Sequence, residues 1–208
     1  MKTFLVALLV AFIFQQNQPP VVKITLPKAN ENLKPGSQVR YSIDVSDKED
    51  GDTKFDEINS NEILLTVNSG KGRPNDKSAL HAMMSSNCMN CHAFKSKLIG
   101  PSFMDISIKK SNTAELIKHV KDGSSGIWGE IVMPSHPELS NEEIAKMVNW
   151  ILKFKDEKTV EYYLGKEGSF SVNGASAVTL TASYLDHGKI MGEDKIAIRF
   201  TPHDSRFK

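Results

Sequence analysis

The spacing of apolar residues changes twice along the chain. Between residues 20 and 68 it has period two. Val21-Val-Lys-Ile-Thr-Leu26 and Gln38-Val-Arg-Tyr-Ser-Ile-Asp-Val45 alternate apolar and polar positions, and the turn residues Lys34-Pro-Gly36 separate them. Such alternation points successive side chains to opposite faces of a half-buried strand. Ile63-Leu-Leu-Thr-Val67 predicts a third strand. From residue 75 to 157 the pattern becomes helical. One helix is expected over Asp76–Ser86, and a second from Asn112 or Thr113 to Lys121, with Gly123 as its terminator. Ser140-Asn-Glu-Glu143 is a capping box that opens a third, with Ile144, Met147, Val148, Ile151 and Phe154 on one face. Beyond residue 158 period two returns in Ser169–Val172, Ala177–Tyr184 and Lys195–Phe200.

The N-terminus follows neither pattern. Phe4 to Phe14 is an unbroken apolar run of eleven residues, ended by Gln15-Gln-Asn-Gln18. As a helix it would reach ~16 Å, short of the ~30 Å hydrocarbon core of a bilayer. After the single charge of Lys2, the run reads as a signal peptide over residues 1–16. A retained anchor is the competing reading, and contact with a membrane is expected only in that case. The mature protein is expected to be periplasmic or otherwise exported.

Composition narrows the function classes. The 208 residues are 39% hydrophobic and 25% charged, which suits folded domains better than a disordered chain. Lys and Arg number 26 against 25 Asp and Glu, and no basic run exceeds the pair Lys109-Lys110. Nucleic-acid binding, which needs a basic stripe, is therefore not expected. Two cysteines cannot build a disulfide framework or close a structural zinc site.

Both cysteines lie in Cys88-Met-Asn-Cys91-His92. C-x-x-C-H is the attachment sequence of c-type haem. On a helix, positions i, i+3 and i+4 share a face, so two thiols and an imidazole can meet one flat ring. A C-x-x-C dithiol redox pair is the competing reading, although no βαβ pattern surrounds it.

The chain from Cys88 to Phe154 resembles the small class I monohaem bacterial cytochromes c. The resemblance rests on the motif, then Gly100-Pro101-Ser-Phe, Lys121-Asp-Gly123-Ser-Ser-Gly and Trp128-Gly-Glu-Ile-Val-Met133-Pro134, followed by a final helix. It implies one covalent haem c per chain, bound through Cys88 and Cys91, with His92 and Met133 as axial ligands of the iron. Met133 precedes a proline, which disfavours helical geometry and leaves it on an extended loop. Met1, Met83, Met84, Met89, Met104, Met147 and Met191 are rival thioethers, and His81, His119 and His136 rival imidazoles. The resemblance further implies that the Pro101 carbonyl accepts the N–H of His92 and that the Trp128 indole serves a haem propionate. His119 occupies a place where some members contact a propionate, and His136 is a candidate donor to the Met133 sulfur. With both axial positions filled, electron transfer is expected rather than enzyme catalysis.

The fold class expected is mixed α and β, with an all-α cytochrome c domain (75–157) placed between two β segments (17–74 and 158–208). Each segment alone is too small to bury a core. Together they have the size of one immunoglobulin-like sandwich, and the first resembles the polycystic-kidney-disease type. The acidic residues from Asp44 to Glu57 form a candidate calcium site, but the spacing fails the EF-hand pattern, with Ile58 where the bidentate Glu would fall. The functional expectation is an electron carrier whose partner is a redox protein such as a periplasmic dehydrogenase or a membrane oxidase complex. The alternative is a haem-containing sensor whose sandwich recognises polysaccharide or protein.

Overall fold

The computed structural model describes residues 16–70, 77–109, 112–156 and 158–201. The stretch read as a signal peptide lies, up to residue 15, outside them. The strands before the helices are β1 (Val21–Leu26), β2 (Asn32–Leu33), β3 (Gln38–Asp47), β4 (Gly51–Asp52) and β5 (Ile63–Asn68). The helices are α1 (Lys77–Ser85), α2 (Phe103–Ile108), α3 (Thr113–Asp122) and α4 (Asn141–Lys153). Strands β6 (Val160–Leu164), β7 (Glu167–Ser171), β8 (Ala177–Leu185) and β9 (Met191–Phe200) follow.

Strands from before and after the helices interleave in two sheets. In the first, β3 pairs antiparallel with β1, β4 and β7. The second has the order β2-β9-β8-β5-β6. The registers follow from the alternation. Val39, Tyr41, Ile43 and Val45 of β3 point inward and meet Ile63, Leu65, Val67, Leu180 and Ile198 of the other sheet in one apolar core. A one-residue slip would turn each of these residues outward.

Strand β5 departs from alternation because both of its faces are covered. Ile63, Leu64, Leu65, Thr66 and Val67 are all buried. Odd positions face the sandwich core, whereas Leu64 faces the helices. Val160, Tyr162 and Leu164 of β6 join Leu64, and against this outer face pack Leu80, Met83 and Met84 of α1 with Trp150 of α4 and Phe154 just beyond it. The helical segment and the sandwich therefore share one apolar seam. Two ion pairs also cross between them, Lys77–Glu193 and Lys95–Glu161, each at 2.6 Å and each half-exposed. Pairs so exposed orient more than they stabilise.

Caps fix the helix ends. Ser140 and Glu143 form the expected capping box of α4, Ser102 caps α2 and Asn112 caps α3. Helix α2 was not a separate expectation, because its six residues are too few to show a period. The acidic residues from Asp44 to Glu57 close turns instead of converging. Asp47 accepts from the backbone N–H groups of Glu49 and Asp50, and Asp52 from that of Lys54. Among the described residues no cluster of His, Cys, Asp and Glu is placed to hold a metal ion. No described helix is long and apolar enough to cross a membrane.

His81 lies in the contact between α1 and β8, only 2% exposed. Its Nε2 is 3.4 Å from Ser183 Oγ, and its Nδ1 has no partner among the described residues. Burial lowers its pKa to about 4; Glu193 raises it and Lys77 lowers it. The unfolded chain, with a pKa of about 6.5, thus binds the proton more readily. Stability is fully present above about pH 6.5, falls as pH drops toward about 4, and levels off below. Thermal melts should show a steeper acid loss of stability for the wild type than for His81→Leu between these limits. Parallel curves for the two proteins would remove His81 as the cause.

Candidate functional site

Helix α1 ends where Asn87 turns into the left-handed region at φ 59°. The motif then forms a short 3-10 turn, Cys88–Asn90, in place of the α-helical turn the spacing suggested. Cys91 N–H closes it on the Cys88 carbonyl at 3.2 Å, and His92 N–H adds an α-type bond of 3.0 Å to the same oxygen, which still gathers the two cysteines and the histidine on one side.

The His92 ring is held on three sides. Its Nδ1 is 2.7 Å from the Pro101 carbonyl oxygen, so Nδ1 carries the proton and donates. Phe103 stacks on it, with centroids 5.6 Å apart and planes 12° from parallel. On another side the backbone of Gly100 approaches so closely that a Cβ there would lie 2.7 Å from His92 Cε1. Burial lowers the His92 pKa more than the Pro101 bond raises it, so the imidazole is neutral at neutral pH. Its Nε2 lone pair is left over.

Cys88, Cys91 and His92 line one cavity together with Met133, Pro101 and Trp128. The space enclosed, counted out to its open mouth, is about 1250 Å³. Its other walls are largely apolar, including Met83, Ile106, Leu116, Val120, Met147 and Ile151. The loop bearing Met133 is pinned to the end of α3. Met133 and Ser124 exchange two backbone hydrogen bonds, of 2.8 and 3.1 Å. Gly123, at φ +81°, allows this approach, since a Cβ there would lie 2.8 Å from the Met133 carbonyl. Trp128 is at the rim, 37% exposed, with Lys109 Nζ 4.1 Å from its ring centroid.

The other candidates sort by position. Met84 and Met89 are buried in the seam away from this cavity, whereas Met83 and Met147 line its wall. His119 lines the cavity, with Nε2 3.8 Å from Glu115. The His136 ring pairs with Glu138 at 2.9 Å. His81 is spent in the α1–β8 contact. Sequence reasoning gave no role to Gly100 or to the Phe103 ring. The close Gly-Pro step beside the motif carried that signal, but only the fold brings it against the imidazole.

The donor set fits a covalently held haem: two unpaired thiols, an imidazole whose outer nitrogen is occupied, and a thioether, all around an apolar cavity. A dithiol redox centre fits poorly. Such centres work with a lowered thiol pKa, whereas burial pushes Cys88 up to about 11.

Comparison with known proteins agrees. Residues 75–151 match the family model described as cytochrome C oxidase, cbb3-type, subunit III. Cytochrome c-552 of Nitrosomonas europaea is 36% identical over 73 residues, 33% of this chain and 71% of that protein. The chain belongs to the c-type cytochromes of the c-551/c-552 family. Cytochrome c-551 of Azotobacter vinelandii is 40% identical over 72 residues, 33% of this chain and 87% of its own length. The crystal structure of the Nitrosomonas europaea protein covers 36% of this chain and 99% of that one, with 34% identity and a TM-score of 0.35. The cytochrome is an electron carrier with one covalent haem c, and its relatives do not favour the sensor reading. Most of its chain, including both sheets, lies outside the matched region.

The contact between Gly100 and the imidazole yields a direct expectation. In Gly100→Ala the added methyl must displace the ring or the Pro101 segment, at about 1–3 kcal/mol. The melting temperature of the cytochrome should fall by several degrees and the yield of haem-loaded protein with it. An unchanged melt and yield would mean that the ring is not clamped there.

Proposed function

We propose that Cys88 and Cys91 hold the haem by thioether bonds, that His92 Nε2 and Met133 Sδ are the axial ligands, and that the chain serves as an exported electron carrier. The observation that carries this reading is the hydrogen bond from His92 Nδ1–H to Pro101. It fixes the tautomer, leaves the Nε2 lone pair free to bind the iron, and increases the basicity of that nitrogen. The bound iron supplies a one-electron couple.

The remaining contributions come from the chain. Cys88 and Cys91 would hold the haem as thioethers, one thiol to each vinyl group, so neither thiol would be left to form a disulfide. Burial keeps His92 neutral, so that its lone pair is available at neutral pH. The Ser124–Met133 bridge fixes the backbone of the thioether ligand, so little rearrangement accompanies a change of charge. Trp128, at the rim of the cavity, would donate its indole N–H to a propionate. A thioether opposite an imidazole raises the reduction potential over that of two imidazoles.

Around this site we read residues 17–74 and 158–208 as one immunoglobulin-like sandwich interrupted by the cytochrome segment 75–157. Residues 1–16 act as the export signal, consistent with an apolar run too short to span a bilayer. The partner is a second redox protein, such as a periplasmic dehydrogenase or a membrane oxidase complex. It meets the cytochrome at the cavity mouth, where Ile127, Ile131 and Val132 are exposed.

Visible spectra of the haem-loaded chain test the ligand set. The reduced protein should show the sharp α band of low-spin haem c. The oxidised protein should show the weak long-wavelength band of a thioether–iron bond. Met133→Ala should lose that second band and bind carbon monoxide when reduced, and Met133→His should lower the midpoint potential. Retention of the thioether band in Met133→Ala would assign the ligand to another methionine.

A further inference from the structure

The packing that holds His92 continues beyond the cytochrome helices. Phe103 lies against the imidazole, and Trp150 of α4 meets Phe103 edge-on with centroids 6.1 Å apart. Tyr162 of strand β6 meets Trp150 edge-on at 5.4 Å. Phe94, two residues after His92, fills the angle, 6.1 Å from Phe103 and 5.5 Å from Tyr162. Phe103 and Trp150 are each 2% exposed and Tyr162 6%. Phe154 stacks on Trp150 at 5.3 Å and lies 6.1 Å from both Phe94 and Tyr162, so that five aromatic rings form one closed cluster between the imidazole and the sheet.

We propose that Tyr162, a residue of the sandwich, is a positioning residue for the axial imidazole. Through Trp150 and Phe103 it sets the plane of His92, and so ties the electronic state of the iron to the seating of the sheet on the cytochrome. The proposal rests on His92 being the axial ligand. The bond to Pro101 fixes which nitrogen faces the iron, yet a single hydrogen bond leaves rotation about its own axis loosely defined. The angle of the ring plane depends on what lies against it: the Gly100 backbone, which has no side chain to yield, and the stacked Phe103 ring. Phe103 is in turn held in place by Trp150 and Phe94, and both of these rest on Tyr162.

Interiors packed at crystal-like density relax only partly when a ring is removed, and the neighbours shift toward the gap. A gap at Tyr162 therefore draws Trp150 and Phe94 away from Phe103 and frees the imidazole to turn. The orientation of an axial imidazole decides which iron d orbitals its π electrons meet. In the oxidised protein this sets how unpaired spin is shared among the haem methyl groups. Such coupling is carried by contiguous packing and needs no movement of the chain at the iron itself.

The test uses the full-length, haem-loaded chain in four forms: wild type, Tyr162→Leu, Tyr162→Phe and Leu180→Ala. Leu180 is fully buried in the sandwich core and touches none of these rings, so it reports loss of stability alone. Paramagnetically shifted haem-methyl resonances and the midpoint potential are measured for each. Tyr162→Leu should change the spread of the methyl shifts and move the potential. Tyr162→Phe should restore both, and Leu180→Ala should lower the melting temperature with neither changed. If Tyr162→Leu does not fold, Tyr162→Met, which keeps more volume, takes its place with the same expected result. Wild-type methyl shifts in Tyr162→Leu or Tyr162→Met, beside a lowered melting temperature, would overturn the proposal and leave the ligand assignment standing. A wild-type spectrum without the signature of low-spin imidazole ligation would instead overturn the ligand assignment itself.

Discussion

A hydrogen bond of 2.7 Å between His92 Nδ1 and the Pro101 carbonyl is the contact on which the haem side of this molecule depends. A neutral imidazole has one donor and one acceptor, and using the donor on the backbone commits the acceptor to the cavity. The surrounding choices serve that bond. Gly100 removes the side chain that would strike the ring, and Phe103 covers a face. The left-handed turn at Asn87 ends α1 so that the motif swings into position. The Met133 loop follows the same logic at Gly123, where the absence of a Cβ lets Met133 bond to Ser124.

The sandwich contributes a surface as well as a second core. A helical cytochrome segment of this size has little apolar area of its own to bury. Here it borrows the outer face of a sheet: Leu64, Val160, Tyr162 and Leu164 lie under Trp150 and Phe154. Burying one such side chain contributes roughly 1.5–3 kcal/mol, so the seam stabilises both partners substantially. A carrier built in this way presents its cavity mouth from a fixed platform.

Some of this was legible in the sequence, and what was legible had local causes. Period-two runs at Val21–Leu26 and Gln38–Val45 identified strands because each has one dry and one wet face. The Ser140 capping box identified the start of α4 for the same local reason. Strand β6 went unnoticed. Val160-Glu-Tyr-Tyr-Leu164 follows α4 closely and has too few residues to show its own period. The single apolar stripe of α4 omits Trp150 because the buried face is wider than one stripe, packing on both α1 and β6. In the site, the Cys88–His92 spacing and the Met133-Pro134 step were legible as chemistry, whereas Phe103 meets Trp150, 47 positions away, and Tyr162 meets Phe94, 68 positions away, only in the fold. No local pattern encodes such a contact. His81 shows the same limit, since nothing near it in the chain distinguishes a histidine buried against Ser183 from one in water.

The central claim is that this chain holds one haem covalently through Cys88 and Cys91. The most direct test is the intact mass of the full-length protein, produced with a haem-attachment system and extracted with acidified organic solvent. The account predicts a mass gain of one haem that survives extraction, maps to the peptide containing Cys88 and Cys91, and is lost when both are replaced by serine. A chain of unmodified mass, or haem that extracts freely, would contradict it.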